Sequence, residues 1–520
     1  MELTEIQSPE NRLPLPGGKV IDSTECLIES IWGHRLWHRQ TPWLIFLEFL
    51  NVADSAATEN VPFGNVTGEE TFPANYKCRK RLFLRHLLFR NSNVDLLADK
   101  RWSDADLWTH WVDYFKGRLA DSCAYDPGLL RGRFQKFTDF AAAVRLLRET
   151  VVHTSKRWTS SFVFPFGPAA LYEDLDIKLQ SDRGNFGRTG ELLYMMLRRS
   201  GLAVKLQPLV SSFLKRDSAN NRLLAKLQPE EDAQFGQDKS LGYLPYKQHP
   251  AFRRLAQDWL AISGLGLPGY DAYQHYATLA SFHLLMYHVE TAAAGMGDSN
   301  LFFVCEVLAP KMEAVRQLSI RSFQNNEGRS YAAVQAAWDR LLQHAEWRSI
   351  ADPEAALPVD EQIAEALTFF IKHISLKPDR LPPAFSSISA FLEYLSELIE
   401  RKLDDNVGLL HRSYGRDCGF VSKRGTRNYR YAPTDSFLKT LVLANVEQRM
   451  ELRDFLRRLF DRYHLVLGPE EAERIKGNND FEGTVFKKNA KRLEDRLKSM
   501  GMLNRLSDGV AFVENPIRSQ

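Results

Sequence analysis

The chain has no apolar run of the roughly 18 residues that crossing a bilayer requires. The longest candidate, TPWLIFLEFLNVA, is shorter and contains Glu48. The start, MELTEIQSPENR, lacks the basic first part and the apolar middle of a secretory signal. These absences predict a cytoplasmic protein that makes no contact with a membrane.

Cysteine is also scarce, because the chain has five scattered cysteines and no CxxC pair. A disulfide framework or a zinc ribbon needs paired spacing, so we expect free thiols. The patterns GxxxxGK[ST], GxSxG and HExxH, which are typical of P-loop ATPases, serine hydrolases and zinc proteases, do not occur. The sequence therefore predicts no cofactor and no metal site, and it does not indicate an enzyme.

The composition is that of a globular protein. The chain has 520 residues, of which 44% are hydrophobic and 26% charged, so it is long enough for several domains. Apolar residues recur at spacings of three and four in most segments, and strand-like runs are few. We predict a mainly α, multi-domain protein with these parts: an N-terminal helical region (1–225), a central helical region (245–375), a helical connector with a small β-hairpin (386–445) and a winged helix-turn-helix (446–520).

Positive charge is concentrated at the C-terminal end. The last 120 residues carry 24 Lys and Arg against 17 Asp and Glu, a net charge of +7, although the whole chain has only +3. The first 400 residues carry 44 against 48. Such asymmetry is typical of a module that meets a polyanion, although surface lysines also serve solubility.

The order of elements in the last 75 residues is helix, strand, helix, helix and hairpin. The segments are VEQRMELRDFLRRLFDRYH, LVLG, PEEAERI, TVFKKNAKRLEDRLKSMG and the two β-prone runs MLNRL and VAFVE around the turn SDG. Gly501 follows the third helix, where a left-handed cap is expected. This order is that of a winged helix-turn-helix domain.

The third helix of this module has an apolar stripe and a basic side. The stripe is Phe486, Ala490, Leu493, Leu497 and Met500. Off the stripe lie the candidate DNA-binding residues Lys487, Lys488, Lys491, Arg492, Arg496 and Lys498, and Arg505 lies beside the turn of the wing. A helix fits the major groove, where cations reach phosphates and guanine edges. Glu494 and Asp495 on the same helix imply that only part of it faces DNA. A basic helix that is merely solvated, or that contacts a protein, is the alternative.

A second basic site is predicted upstream, in CGFVSKRGTRNYRYAPTDSFLKTLVLANV. Its strands would pair around KRGT and bring Lys423, Arg424, Arg427 and Arg430 to a tip, with Tyr429 and Tyr431 between them. Cations interleaved with aromatic rings are typical of surfaces that grip a phosphate backbone. A solvated, charged hairpin at a domain junction is the alternative.

Two further segments contain groups that nucleic-acid chemistry uses. NYKCRKRLFLRHLLFRN has six Lys and Arg, but its dense Leu and Phe favour a packed helix over a phosphate-binding surface. Asp174, Asp176 and Lys178 resemble the carboxylate–x–lysine arrangement by which some nucleases hold a metal ion. Two Asp and a Lys within five residues are common by chance, so a nuclease is the weakest hypothesis.

Two strings, NFGRTGELLYMMLRRSG and RNYRYAPTDSFLKTLVLANVE, resemble accessory proteins of bacterial anti-phage defence islands, such as those of methylation-associated defence. The resemblance implies a working partner of nucleases, methyltransferases or ATPases, and it implies no catalytic residue.

Three hypotheses follow. The first is a non-enzymatic component of a multi-protein bacterial defence system that holds double-stranded DNA and docks protein partners. The second is a protein–protein scaffold that never touches DNA. The third is a metal-dependent nuclease.

Overall fold

The structure is a computed structural model. It describes residues 3–15, 25–34, 36–59, 61–64, 75–91, 93–119, 125–153, 157–176, 178–180, 187–230, 239–298, 300–307, 313–352, 358–378, 381–423, 428–475, 483–506 and 510–518.

Helices dominate these residues, which confirms the prediction of a mainly α protein. In chain order, the first ten are α1 (Cys26–Trp32), α2 (Pro42–Thr58), α3 (Leu82–Phe89), α4 (Asn93–Ala98), α5 (Asp104–Leu119), α6 (Phe137–Glu149), α7 (Thr189–Arg198), α8 (Ala203–Phe213), α9 (Ala219–Lys226) and α10 (Pro250–Ser263). The next ten are α11 (Gly269–Gly295), α12 (Glu313–Leu342), α13 (Ala345–Ile350), α14 (Val359–Ile374), α15 (Ile388–Lys402), α16 (Gly408–Asp417), α17 (Asp435–Asn445), α18 (Leu452–Tyr463), α19 (Pro469–Arg474) and α20 (Gly483–Ser499).

The strands are short and form small separate sheets. They are β1 (Asn75–Tyr76), β2 (Val151–His153), β3 (Phe162–Val163), β4 (Lys239–Ser240), β5 (Phe303–Val304), β6 (Val421–Ser422), β7 (Arg430–Tyr431), β8 (Met450–Glu451), β9 (Leu465–Val466), β10 (Leu503–Arg505) and β11 (Ala511–Val513). The antiparallel pairs are β1–β4, β2–β3 and β6–β7, whereas β5 and β9 pair in parallel. Strands β10, β11 and β8 form an antiparallel sheet in that order.

By its contacts, the chain divides into two compact units. One contains residues 1–42, 195–203 and 242–520, and the other contains residues 43–194 and 204–241. The sequence predicted four consecutive segments, whereas each of these units is assembled from separate stretches of the chain.

The smaller unit, residues 43–194 and 204–241, has a core of aromatic rings. Trp108 and Trp111 of α5 meet Phe137 and Phe140 of α6 at ring-centroid distances of 4.7–6.4 Å. All four side chains are buried. Aromatic residues bury large areas each, so this cluster supplies much of the hydrophobic stabilisation of the unit.

The larger unit is built around α11, which is buried along almost its whole length. It packs against α10, α12 and α16. Its histidines serve the core: burial lowers the pKa of His275 to about 4 and that of His288 to about 3, and His283 Nε2 lies 2.7 Å from Asp258 Oδ2. A helix that is apolar on all sides forms a core.

Cys26, Cys78, Cys305 and Cys418 are free and buried, and Cys123 lies outside the described residues. Among the helices that the structure describes, none combines the length and the hydropathy that spanning a membrane would need.

Candidate nucleic-acid interface

The C-terminal elements follow the predicted order, with one change in strand pairing. Helix α18, strand β9, helices α19 and α20, and the hairpin β10–β11 succeed one another along the chain. Strand β9 pairs with β5 of the helical body rather than with the hairpin. The third strand of the hairpin sheet is β8, which directly precedes α18. The predicted helix 446–464 therefore begins only at Leu452, because Met450 and Glu451 pair with β11.

Helix α20 is held by its apolar stripe and by one buried amide. Phe486, Leu493 and Leu497 are fully buried, as their spacing predicts. Asn489 Nδ2 donates to the carbonyls of Cys305 and Leu467 at 2.9 Å, and its Oδ1 accepts from the Val307 amide at 2.8 Å. These three bonds satisfy the polar atoms of the buried Asn489 side chain. They also fix the rotation of α20 about its axis and so determine which side of the helix faces solvent.

Three lysines of α20 project into solvent. Lys487, Lys488 and Lys498 are exposed, and none has an ion pair or a side-chain hydrogen bond among the described residues. At 100° per residue, Lys487 and Lys498 lie within about 20° of each other around the helix, and Lys488 lies about 80–100° further round. They form a cationic strip along one side, which we call the lysine strip.

Two other predicted cations are engaged by acids of α20 itself. Lys491 Nζ lies 3.0 Å from Glu494 Oε1 and 3.2 Å from Asp495 Oδ1. The hydrogen bond to Glu494 raises the pKa of Lys491. Arg505 Nη1 in β10 lies 3.3 Å from the same Glu494 oxygen. The acids noted in the sequence therefore neutralise this part of the surface.

The last two arginines of α20 are only half-exposed. Arg496 pairs with Asp435 at the start of α17 and donates to the Pro433 carbonyl at 3.2 Å. Arg492 has one guanidinium nitrogen, Nη1, that is shielded from solvent and has no hydrogen-bond partner among the described residues. Arg496 is therefore engaged within the protein, whereas Arg492 is limited only by its shielded nitrogen.

Upstream, β6 and β7 pair antiparallel, with Val421 opposite Tyr431 and Ser422 opposite Arg430. Lys423 is exposed, and its Nζ lies 5.0 Å from the centre of the Tyr429 ring. Arg424 and Arg427 lie outside the described residues, as do residues 507–509, where the sequence predicts the turn SDG.

Arg430 does not belong to the surface, and this corrects the prediction. Its side chain is 5% exposed, and its Nε donates to Glu306 Oε2 at 2.6 Å. Glu306 also accepts from Arg316 at 3.0 Å. Arg430 holds a buried carboxylate and cannot contact DNA without breaking this buried ion pair, which is costly.

A cleft of about 250 Å³ lies beside α20 and is acidic. Its apolar floor includes Leu452 and Leu456, and its charged lining is Glu451, Arg453, Glu470, Glu471, Glu494 and Arg505. Burial raises the pKa of Glu471. Four glutamates against two arginines disfavour a phosphate here, so the lysine strip and not this cleft is the candidate DNA-facing surface.

The proposed nuclease residues do not converge. Asp174 is buried and accepts from Ser160 Oγ at 3.0 Å. Asp176 lies in a turn, where its Oδ1 accepts from the Gln180 amide at 2.9 Å, and Lys178 is exposed. Among the described residues, the only three metal-ligating side chains with ligand atoms within 4.8 Å of one another lie elsewhere. They are His344, Glu346 and His373.

Sequence reasoning missed a buried charged cluster in the smaller unit. Tyr76 Oη donates to Glu191 Oε1 at 2.5 Å, and Lys239 Nζ lies 2.9 Å from Glu173 Oε2. Glu48 Oε2 accepts from the Gly190 amide at 2.8 Å, at the start of α7.

Gly190 is required by this approach, because an added Cβ would lie 2.6 Å from Glu48 Cβ. Part of the cluster lies in the string GRTGE, which carried the family resemblance. Glu48 and Lys239 are far from this string in the sequence. Only correlated substitutions in related sequences would have connected them to the cluster.

When compared with models of known families, with curated proteins and with solved structures, the chain matches none. The function of the protein is therefore inferred from the residues described above.

Proposed function

We propose that this protein holds double-stranded DNA through phosphate contacts made by the lysine strip of α20. The observation that carries the proposal is that Lys487, Lys488 and Lys498 share one exposed side of a helix and have no acidic partner among the described residues. Lys423 on the upstream hairpin is a further candidate contact. The protein acts as a non-enzymatic component of a multi-protein bacterial system of the anti-phage type, as the sequence resemblance implies.

In this proposal, α18, α19, α20 and the β10–β11 hairpin are a winged helix-turn-helix, with α20 as the helix that meets DNA. The element order and the left-handed Gly501, with φ +69°, support this assignment. An independent winged helix would pair its strands only with one another, whereas β9 pairs in parallel with β5 of the helical body. The module is then a fixed part of the helical body.

The charges favour phosphate contacts over base reading. Bidentate recognition of guanine uses a free guanidinium, and lysine acts as a point charge. Arg492 and Arg496 are only half-exposed, and Arg505 pairs with Glu494. Binding by three or four lysines depends on counterion release, so it is weakly sequence-specific and steeply dependent on salt.

Protein docking is the second candidate function. It is supported by Glu494 and Asp495, which cancel Lys491 in the middle of the exposed side of α20. A surface of mixed charge beside a cleft with an apolar floor suits a protein partner. A metal-dependent nuclease at Asp174, Asp176 and Lys178 has no support from the geometry.

The experiment is a fluorescence-anisotropy titration of a 30-base-pair duplex at several KCl concentrations. We expect the triple variant Lys487→Ala, Lys488→Ala, Lys498→Ala to weaken binding at low salt. It should also reduce the slope of log K against log salt by up to about three, because each neutralised phosphate contributes roughly 0.9.

The matched control removes three exposed lysines elsewhere, Lys136, Lys205 and Lys215. This triple variant has the same net charge and should retain the wild-type slope. Equal losses in both triple variants would mean that net charge and not the lysine strip is responsible. A wild-type protein that binds no duplex at low salt refutes the proposal and favours protein docking.

A further inference from the structure

Three metal-ligating side chains meet between α13 and α14. His344 directly precedes α13 without a capping hydrogen bond from its side chain. Glu346 lies in the first turn of α13, and His373 lies in the last turn of α14. One ligand atom from each lies within 4.8 Å of the others. His373 Nε2 is 3.2 Å from Glu346 Oε2, and the two imidazole rings have centroids 4.6 Å apart.

These distances fit a transition-metal ion. A tetrahedral Zn²⁺ with bonds of about 2.0–2.2 Å places its ligand atoms about 3.4 Å apart, so the site needs only a small closure of one side chain. Two imidazoles and one carboxylate suit Zn²⁺, Co²⁺ or Ni²⁺, whereas Mg²⁺ and Ca²⁺ prefer oxygen ligands alone.

The surrounding rings hold the ligands in place. The His373 ring lies 4.4 Å from Phe369, and Trp347 of α13 packs on Phe369 and Phe370 of α14 at 5.4 and 5.0 Å. Because these aromatic contacts join α13 to α14, the two histidines stay near each other without a metal ion. A site that is organised before binding loses little entropy when the ion arrives.

We propose that His344, Glu346 and His373 bind one divalent transition-metal ion, with Zn²⁺ as the representative. Three protein ligands leave one coordination position for water. Both histidines line a cleft of about 260 Å³, which gives an ion and its water access to the site.

Lys372 opposes the ion, because its Nζ donates to Glu346 Oε2 at 2.8 Å. A metal ion must displace this ammonium group from the carboxylate or use the other oxygen. Lys372 therefore sets the affinity of the site without being a ligand.

The test is isothermal titration calorimetry of the full chain, without a histidine tag, with ZnCl₂. We expect one ion per chain at this site. His373→Ala should weaken binding by more than the roughly 10–100-fold that follows the loss of a residue that only orients a metal ligand. Lys372→Ala should strengthen binding, which a merely structural role of the cluster would not cause. Co²⁺ should give the visible absorption of a tetrahedral complex with nitrogen and oxygen ligands.

The matched control is His110→Ala, which removes an exposed histidine on α5 and should leave binding unchanged. Circular dichroism of each variant shows whether it has folded. If wild type shows no saturable binding, or if folded His373→Ala binds Zn²⁺ as wild type does, the proposal is wrong. Equal binding of Mg²⁺ and Zn²⁺ would also overturn it.

Discussion

The segment around α3, residues 77–90, and helix α20 have similar numbers of Lys and Arg but use them in opposite ways. On α20, Lys487, Lys488 and Lys498 end in solvent. Around α3, Arg81 and Arg85 are buried, and their guanidinium groups donate to main-chain carbonyls of the same unit. One segment leaves cations exposed to solvent, and the other uses them to hold its own fold.

The difference follows from how much of each helix is apolar. In α3, Leu82, Phe83, Leu84, Leu87 and Leu88 are all buried, so apolar side chains surround the helix axis and carry the arginines inward. In α20, the buried apolar positions are confined to a stripe three and four residues apart. The count of cations in a segment therefore does not indicate a binding surface unless an uninterrupted polar side accompanies it.

The largest expected effect comes from Arg81→Ala. Arg81 donates to the carbonyls of Leu171 and Pro168 at 2.8 and 2.7 Å, and to Gln228 Oε1 at 2.7 Å. Each buried acceptor that loses its donor costs about 1–3 kcal/mol, so urea unfolding should show a loss of at least about 3 kcal/mol. Lys80→Ala, in the same segment, is the control and should change stability by less than about 0.5 kcal/mol. Equal losses would break the contrast between the segments.

The next effect is a pH dependence at α3. Burial, together with the charges of Arg90 and Arg85, lowers the pKa of His86 to about 4. In the unfolded chain its pKa is about 6.5. As the pH falls from 6.5 towards 4, the unfolded chain binds a proton that native His86 excludes, so the stability that is complete above pH 6.5 is lost.

At pH 5 this loss should reach about 2 kcal/mol relative to pH 7, since each unit of difference is worth about 1.4 kcal/mol. Urea unfolding of His86→Gln should lack that part of the acid sensitivity, and the exposed His110→Gln should keep it. A wild-type-like pH profile in His86→Gln would show that His86 is not held neutral.

The smallest expected effect concerns the two acids of α20. The double variant Glu494→Gln, Asp495→Asn releases Lys491 from both acids and Arg505 from Glu494. Exposed ion pairs are worth about 0.2–1 kcal/mol, so duplex affinity at fixed salt should rise about 1.4- to fivefold. Asp104→Asn, Asp106→Asn on α5 has the same net charge and should leave the affinity near that of wild type. A fall in affinity on removing the acids would favour protein docking.

The sequence predicted the local features of the candidate site. The apolar stripe of α20 and the left-handed Gly501 follow from spacing and cap chemistry within a few residues. The packing of α3 was also expected from its dense Leu and Phe. Such features depend on neighbours along the chain, which a single sequence displays.

The features that were missed depend on partners far away in the chain. Arg430 was assigned to the surface because nothing near it in the sequence indicates a partner. Its partner, Glu306, lies 124 residues earlier. The pairing of β9 with β5 and the meeting of His344 with His373 are of the same kind. Periodicity shows that a helix has a buried side but does not show which element covers it.

The side chain of Asn489 has a consequence for mechanics. Its three hydrogen bonds tie α20 to the segment after β5 and to the end of β9. Because of this clamp, force applied to the lysine strip passes into the helical body instead of rotating a tethered tail. An excised fragment that begins at Val446 loses the Cys305 and Val307 partners of Asn489, so the orientation of α20 in that fragment is no longer fixed.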